Sequence, residues 1–243
     1  LASGVKRRYV PTQHGAWAML VVPFLFGMVS GGARVMHILL FAVWLLTYLF
    51  SYPVLQAFKT RKWGQYREPM LLYGGLLTVS GVSLALLRPE LLRWVIPFIP
   101  LFVINCAYAR ANNERSFFND LVAVVQFSLI VFVSHELGGR GDFAEAAWLF
   151  ALNLLYFTGT IFYVKTMIRE KRNRAFYWYS VGYHVLLLAA GIVLFPPLIC
   201  LPLAVLLIRA VLMPRRHMTI KQIGIMEFLY TVLLVITVIW TYG

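Results

Sequence analysis

The sequence predicts an all-α polytopic membrane protein, a bundle of nine transmembrane helices. Three observations carry that prediction. Of 243 residues, 61% are hydrophobic and only 13% charged, with a mean hydropathy of +0.77. A soluble domain carries about a quarter charged residues, so this chain cannot build a polar shell and lipid must solvate it. Apolar runs long enough to cross a hydrocarbon core, about 17–25 residues, recur along its whole length. Basic residues collect in the short loops between those runs, on alternate sides.

The first span is expected at 14–31. Lys6-Arg7-Arg8 ahead of it superficially resembles a signal peptide, but Pro11 and His14 interrupt the run and no A-x-A site follows. The arm therefore reads as a basic cytoplasmic lead to a retained helix. The next spans are expected at 35–57, 70–87, 92–109, 118–137 and 144–166. Gly74-Gly75 and Gly81 suggest close helix approach in the third, and G-x-x-x-G spacing is not prominent. The last three are expected at 176–195, 197–213 and 222–241, with Pro196-Pro197 marking a tight turn between two of them.

Loop charge orients the bundle. The N-terminal arm and the regions after the second, fourth, sixth and eighth spans hold 18 of the 22 Lys and Arg residues, Lys165, Arg169 and Arg209 among them. Arg34, Arg88, Arg93 and Arg140 make up the other side. By the positive-inside rule the N-terminus is cytoplasmic and the C-terminus outside. Residues 1–243 are expected to form one transmembrane domain. The formal charge of +13 is then loop charge facing anionic lipid rather than a nucleic-acid footprint. Cys106 and Cys200 lie in apolar runs and read as small hydrophobes.

Polar residues within the spans are costly and face protein or a water-filled cavity. They gather at the predicted cytoplasmic ends, the outer halves being plainer apart from Asn153. His14 and Trp17 open the first span, Asn105 closes the fourth, and Asn119-Asp120 open the fifth. Lys165 and Arg169 stand i,i+4 at the end of the sixth; Tyr177, Ser180 and His184 follow at helical spacing in the seventh. If those faces point inward they line a basic, aromatic-rimmed pocket suited to an anionic head group with an apolar tail. Lys165 and Arg169 would hold the head. Trp17, Asn105, Asn119, Tyr177 and Ser180 would contact the substrate. His14, Asp120 and His184 would be available for proton transfer.

Each also has a plainer reading. The cations serve as positive-inside residues, the aromatics as an interfacial belt, Asp120 as a helix-start carboxylate, and the histidines as hydrogen-bonded core or loop groups. There is no Gly-rich phosphate loop, no H-E-x-x-H and no Cys/His cluster. No cofactor and no metal are predicted. The expected partners are membrane lipid and an amphiphilic small molecule.

Val10-Pro11-Thr12-Gln13-His14-Gly15-Ala16-Trp17, Asn113-Glu114-Arg115-Ser116 with Asn119-Asp120-Leu121, and Lys165-Thr166-x-x-Arg169-Glu170 followed by His184 resemble the YwiC-like family of bacterial membrane proteins. That resemblance runs through essentially the whole chain and implies the bacterial cytoplasmic membrane. The architecture is distantly similar to the UbiA-type prenyltransferases, which implies a cytoplasm-facing active site after the second and sixth spans. The Asp-rich motifs of that family are missing. Residues 51–59 contain no aspartate, and 164–170 bring Lys165 and Arg169 where acids are expected. Mg²⁺ requires oxygen ligands, usually carboxylates, so metal-assisted prenyl transfer is not expected. Direct charge-assisted binding of an anionic head is. A carrier, or a noncatalytic membrane subunit with a basic docking surface, are the alternatives.

Overall fold

The computed structural model describes residues 9, 11, 14–140 and 142–243. The Lys6-Arg7-Arg8 arm lies outside them, as do parts of the Val10–Trp17 motif and the His14 side chain. Most of the described residues are helical, and no strand is among them.

Helix α1 spans His14–Gly31, α2 Met36–Thr60 and α3 Trp63–Leu87. A 3-10 turn, Pro89–Trp94, leads into α4, Val95–Arg110. Helices α5 (Phe117–Ser128) and α6 (Ile130–Gly138) form one span, offset at Leu129. Then follow α7 (Phe143–Ile168), α8 (Arg174–Leu194), α9 (Pro197–Leu212), a 3-10 turn at Met213–Arg215, and α10 (Ile220–Tyr242). Among the described residues, eight spans are long and apolar enough to cross a membrane, and α1 is a shorter apolar helix. At about 1.5 Å per residue, its 18 residues cover about the thickness of a hydrocarbon core.

The helix ends follow local chemistry. The Ser116 hydroxyl caps α5 by accepting from the Asn119 N–H, and the Asn173 side chain caps α8 by accepting from Phe176. Thr219 and Gln222 form a reciprocal capping box at α10. Pro196-Pro197 does separate two helices: Pro197 takes the first position of α9, where its missing N–H costs nothing. Helix α3 starts at Trp63 rather than near 70, so Arg67 and Glu68 are helical.

The chain divides into two compact units, Leu1–Ala147 and Trp148–Gly243. In the first, α1 packs on α6, α2 on α3, and α4 on α2 and α5. A core of Leu20, Phe24, Trp44, Tyr48, Val133 and Leu137 joins them. The α1–α6 contact is backbone on backbone. A methyl group added at Gly27 would strike the Val131 carbonyl, and one at Gly31 the His135 backbone. Gly27-x-x-x-Gly31 is therefore a G-x-x-x-G face, although sequence reading did not single it out. In the second unit, α8 packs on α9 and α9 on α10. Tyr183 ties α8 to α7 by donating to the Leu155 carbonyl at 2.8 Å.

Candidate functional site

The second unit encloses a charge. Arg209, placed by sequence reading in a cytoplasmic loop, lies inside α9 and is 1% exposed. Its Nη1 donates to both oxygens of Glu227 on α10, at 2.6 and 2.7 Å. Its Nη2 lies 3.3 Å from Nε2 of His184 on α8. A guanidinium only donates, so Nε2 is the acceptor and the imidazole is neutral. Nδ1 then carries the proton and donates to the Ser180 carbonyl at 2.7 Å. Tyr163 on α7 covers the guanidinium at 4.2 Å and Tyr230 on α10 at 5.2 Å.

Neighbours extend this arrangement. The Tyr156 hydroxyl reaches Thr231 Oγ1 at 2.9 Å, and Thr231 itself donates to the Glu227 carbonyl at 2.8 Å. Gly159 leaves room for the imidazole, since a Cβ there would sit 3.2 Å from Nε2. Glu227 lies seven residues into α10, about 10 Å from its start. An ion pair at that depth is expensive to keep unless every charge is matched. Three buried polar atoms around it have no hydrogen-bond partner among the described residues: Arg209 Nε, Tyr163 Oη and Ser180 Oγ.

The expected site residues fall in both units. In the second, the structure brings Ser180 and His184 together at the charge. Lys165 is 8% exposed near the end of α7, whereas Arg169 is exposed just beyond the helix. Tyr177 is half-buried and donates to the Val211 carbonyl at 3.2 Å. In the first unit, Trp17 packs edge-on against Tyr48. Asn105 donates to Gln126 Oε1 at 2.7 Å. Asn119 donates to the Glu114 carbonyl at 2.8 Å, while the Glu114 carboxylate pairs with Lys59. Asp120 is half-buried in the first turn of α5, and His14 opens α1.

The end of the first unit that carries residues 32–35 and 139–142 is not plain. Ser30 Oγ meets His135 Nδ1 at 2.9 Å, His37 Nε2 meets the Ser134 carbonyl at 2.9 Å, and Ser134 donates to the Phe24 carbonyl at 3.0 Å. Beside them Arg93 pairs with Glu136 at 2.8 Å. Sequence reading gave weight to polar residues near loops and passed over this group.

Arg209 and Glu227 were missed for a related reason. A signal was available: each is the only charged residue in its apolar run, 197–212 and 222–242, and the two have opposite sign.

Helices of this length and hydropathy, with polar groups matched inside them, define a multi-pass α-helical membrane protein. Residues 10–135 match the sequence profile of the family described as YwiC-like protein. A Bacillus subtilis (strain 168) protein named "Uncharacterized protein YwiC" is 44% identical over 180 residues, 73% of this chain and 74% of the relative. A Haemophilus influenzae (strain ATCC 51907 / DSM 11121 / KW20 / Rd) protein, named "Uncharacterized protein", is 28% identical over 222 residues, 91% of this chain and 93% of the relative. The chain belongs to the YwiC-like family. No solved structure matches it. The profile match ends before the second unit begins, so the Arg209 cluster lies outside the matched stretch.

Proposed function

We propose that this chain is a UbiA-like protein of the bacterial cytoplasmic membrane, a single transmembrane domain with its N-terminus inside. In this reading it binds an isoprenoid or phospholipid-like anionic amphiphile from the cytoplasmic side. The observation that supports it is the burial of two cations, Lys165 and Arg209, within helices of the second unit. Their helices run towards the basic segments 169–174 and 215–221. Positive-inside charge needs only loop residues, whereas cations held inside spans are costly and tend to mark ion or substrate sites. Lys165 and Arg169 take the head in this reading, with Tyr177 at the mouth and His184 bonded to the buried Arg209. In the first unit His14 and Asp120 are proposed as proton-transfer groups, and Trp17, Asn105 and Asn119 as substrate contacts.

Native mass spectrometry of the protein in mild detergent tests this. A co-purifying anionic amphiphile is expected, and it should be lost from Lys165→Ala/Arg169→Ala. No amphiphile on either protein would overturn the proposal. The Arg209–Glu227 pair inside the spans favours a second reading, a carrier. Flux of a head-group anion across proteoliposomes would select it.

A further inference from the structure

We propose that Arg209 is an oxyanion seat whose resting occupant is the Glu227 carboxylate. The oxyanion head of an amphiphile displaces Glu227 from it as Glu227 takes up one proton. The inference rests on the amphiphile reading of the second unit and adds to it a residue pair, a proton and an order of events.

The geometry carries it. A carboxylate that fully satisfies a guanidinium engages two of its nitrogens in a fork. Here both Glu227 oxygens sit on Nη1, while Nη2 is turned to a neutral imidazole. Nε, on a side chain that is 0% exposed, has no acceptor among the described residues. Tyr163, stacked on the guanidinium face, and Ser180, one turn from His184, keep hydroxyls without partners. The unassigned groups are therefore one obligate donor, Nε, and two hydroxyls that can each donate. That is the complement of an oxyanion, which only accepts. A buried donor left unmet is costly, so Nε and these hydroxyls favour a ligand that brings acceptor oxygens.

Charge dictates the proton. A buried guanidinium needs one negative partner, and a second buried anion without a counter-ion is prohibitive. The other titratable groups facing the pair are Tyr156 and Tyr163 on α7, His184 on α8 and Tyr230 on α10. The phenols cannot supply positive charge, and His184 already spends its lone pair on Arg209. Once the head holds Arg209, Glu227 is left buried without its counter-ion and takes up a proton. The carboxylate becomes a carboxylic acid, the Arg209–Glu227 ion pair is exchanged for Arg209–oxyanion, and the net charge of the site is unchanged. Nothing is oxidised or reduced.

Isothermal titration of the full chain in mild detergent decides this. The probe is dodecane sulfonate below its micellar concentration, a head that stays charged from about pH 5.5 to about pH 8. Wild-type affinity should rise about tenfold for each unit of falling pH while Glu227 is ionised in the free protein. Buffers of different ionisation enthalpy should show one proton taken up per probe bound. Glu227→Gln should bind as tightly at high pH as wild type at low pH, with no proton uptake. Arg209→Met/Glu227→Leu, which replaces the pair by apolar groups, keeps the test open should the Gln variant not fold; it should lose the pH-linked binding.

Methanesulfonate, the head without its tail, should bind at least about a hundredfold more weakly. Equal binding would make the ligand a free anion and overturn the amphiphile part. Flat wild-type affinity without proton uptake, or an unchanged pH slope in Glu227→Gln, would overturn the exchange. If binding depends on Lys165 and Arg169 and ignores Glu227, the reading of the second unit stands and this inference falls. Absence of binding by wild type at any pH removes both.

Discussion

The two units bury polar groups to different ends. In the first, the serines and histidines of α1, α2 and α6 bond mainly to one another and to backbone carbonyls, and the helices touch through glycine. The bonds across that seam join neutral groups. In the second, the buried side chains surround a guanidinium and a carboxylate. A glycine seam depends on shape, because close backbones gain dispersion only while nothing intrudes. A buried ion pair depends on balance, because either charge alone is far costlier than both. The first unit should therefore respond to added volume, and the second to unmatched charge.

The largest expected effect is in the second unit. Arg209→Ala or Glu227→Ala alone should lower stability by about 3–5 kcal/mol, since each strands a buried charge. Arg209→Met/Glu227→Leu together should return close to wild type. Thermal unfolding in detergent, followed by size exclusion, measures all three. If the double variant is as unstable as the singles, packing rather than charge balance holds α9 on α10.

Added volume should do comparable harm on the α1–α6 seam of the first unit. Gly31→Ala places a methyl group on the His135 backbone, which no rotamer change relieves. A loss of about 1–3 kcal/mol or more is expected. Gly182→Ala in the second unit meets nothing within 4 Å and should be tolerated in the same assay. Equal losses at the two positions would erase the distinction between the units.

A smaller effect tests the hydrogen bonds of the seam. Ser30→Ala removes the partner of His135 Nδ1 and should cost about 1 kcal/mol. Ser80→Ala, whose hydroxyl bonds back to its own helix at Leu76, should cost much less. Chemical unfolding of the two variants side by side resolves the difference.

Much of the fold was legible because hydropathy and helix length are properties of the chain itself. The expected span at 14–31 coincides with α1, and the double proline at 196–197 falls between α8 and α9 as expected. Helix α3 begins earlier because Arg67 and Glu68 extend a helix beyond the apolar run that hydropathy detects. The site was harder to read. Lys165 and His184 could be picked out as polar residues in apolar surroundings, and both are buried. Arg209 looked like a loop cation because Arg215 and Arg216 follow it closely. Its role depends on Glu227 on the next helix, and the mark this leaves, a lone charge of opposite sign in each of two apolar runs, shows only when the runs are compared. The Gly27–Gly31 face was overlooked because its partner residues, Val131 to Gly138, lie about a hundred positions away.

The smallest expected effect concerns glycines that sequence reading did single out. Gly75 and Gly81 on α3 suggested close helix approach, yet a Cβ at either meets nothing within 4 Å. At Gly74 the nearest atom is Phe50 Cε2, 3.2 Å away at the end of a side chain that can shift. Glycine in a helix interior costs about 0.5–1 kcal/mol relative to alanine. Gly81→Ala should therefore be neutral or stabilising by up to about 1 kcal/mol, and Gly74→Ala close to neutral. A marked loss at Gly81 would mean that this face of α3 is covered in the membrane by another helix. The seam logic of Gly27 and Gly31 would then extend to a surface that the first unit leaves exposed.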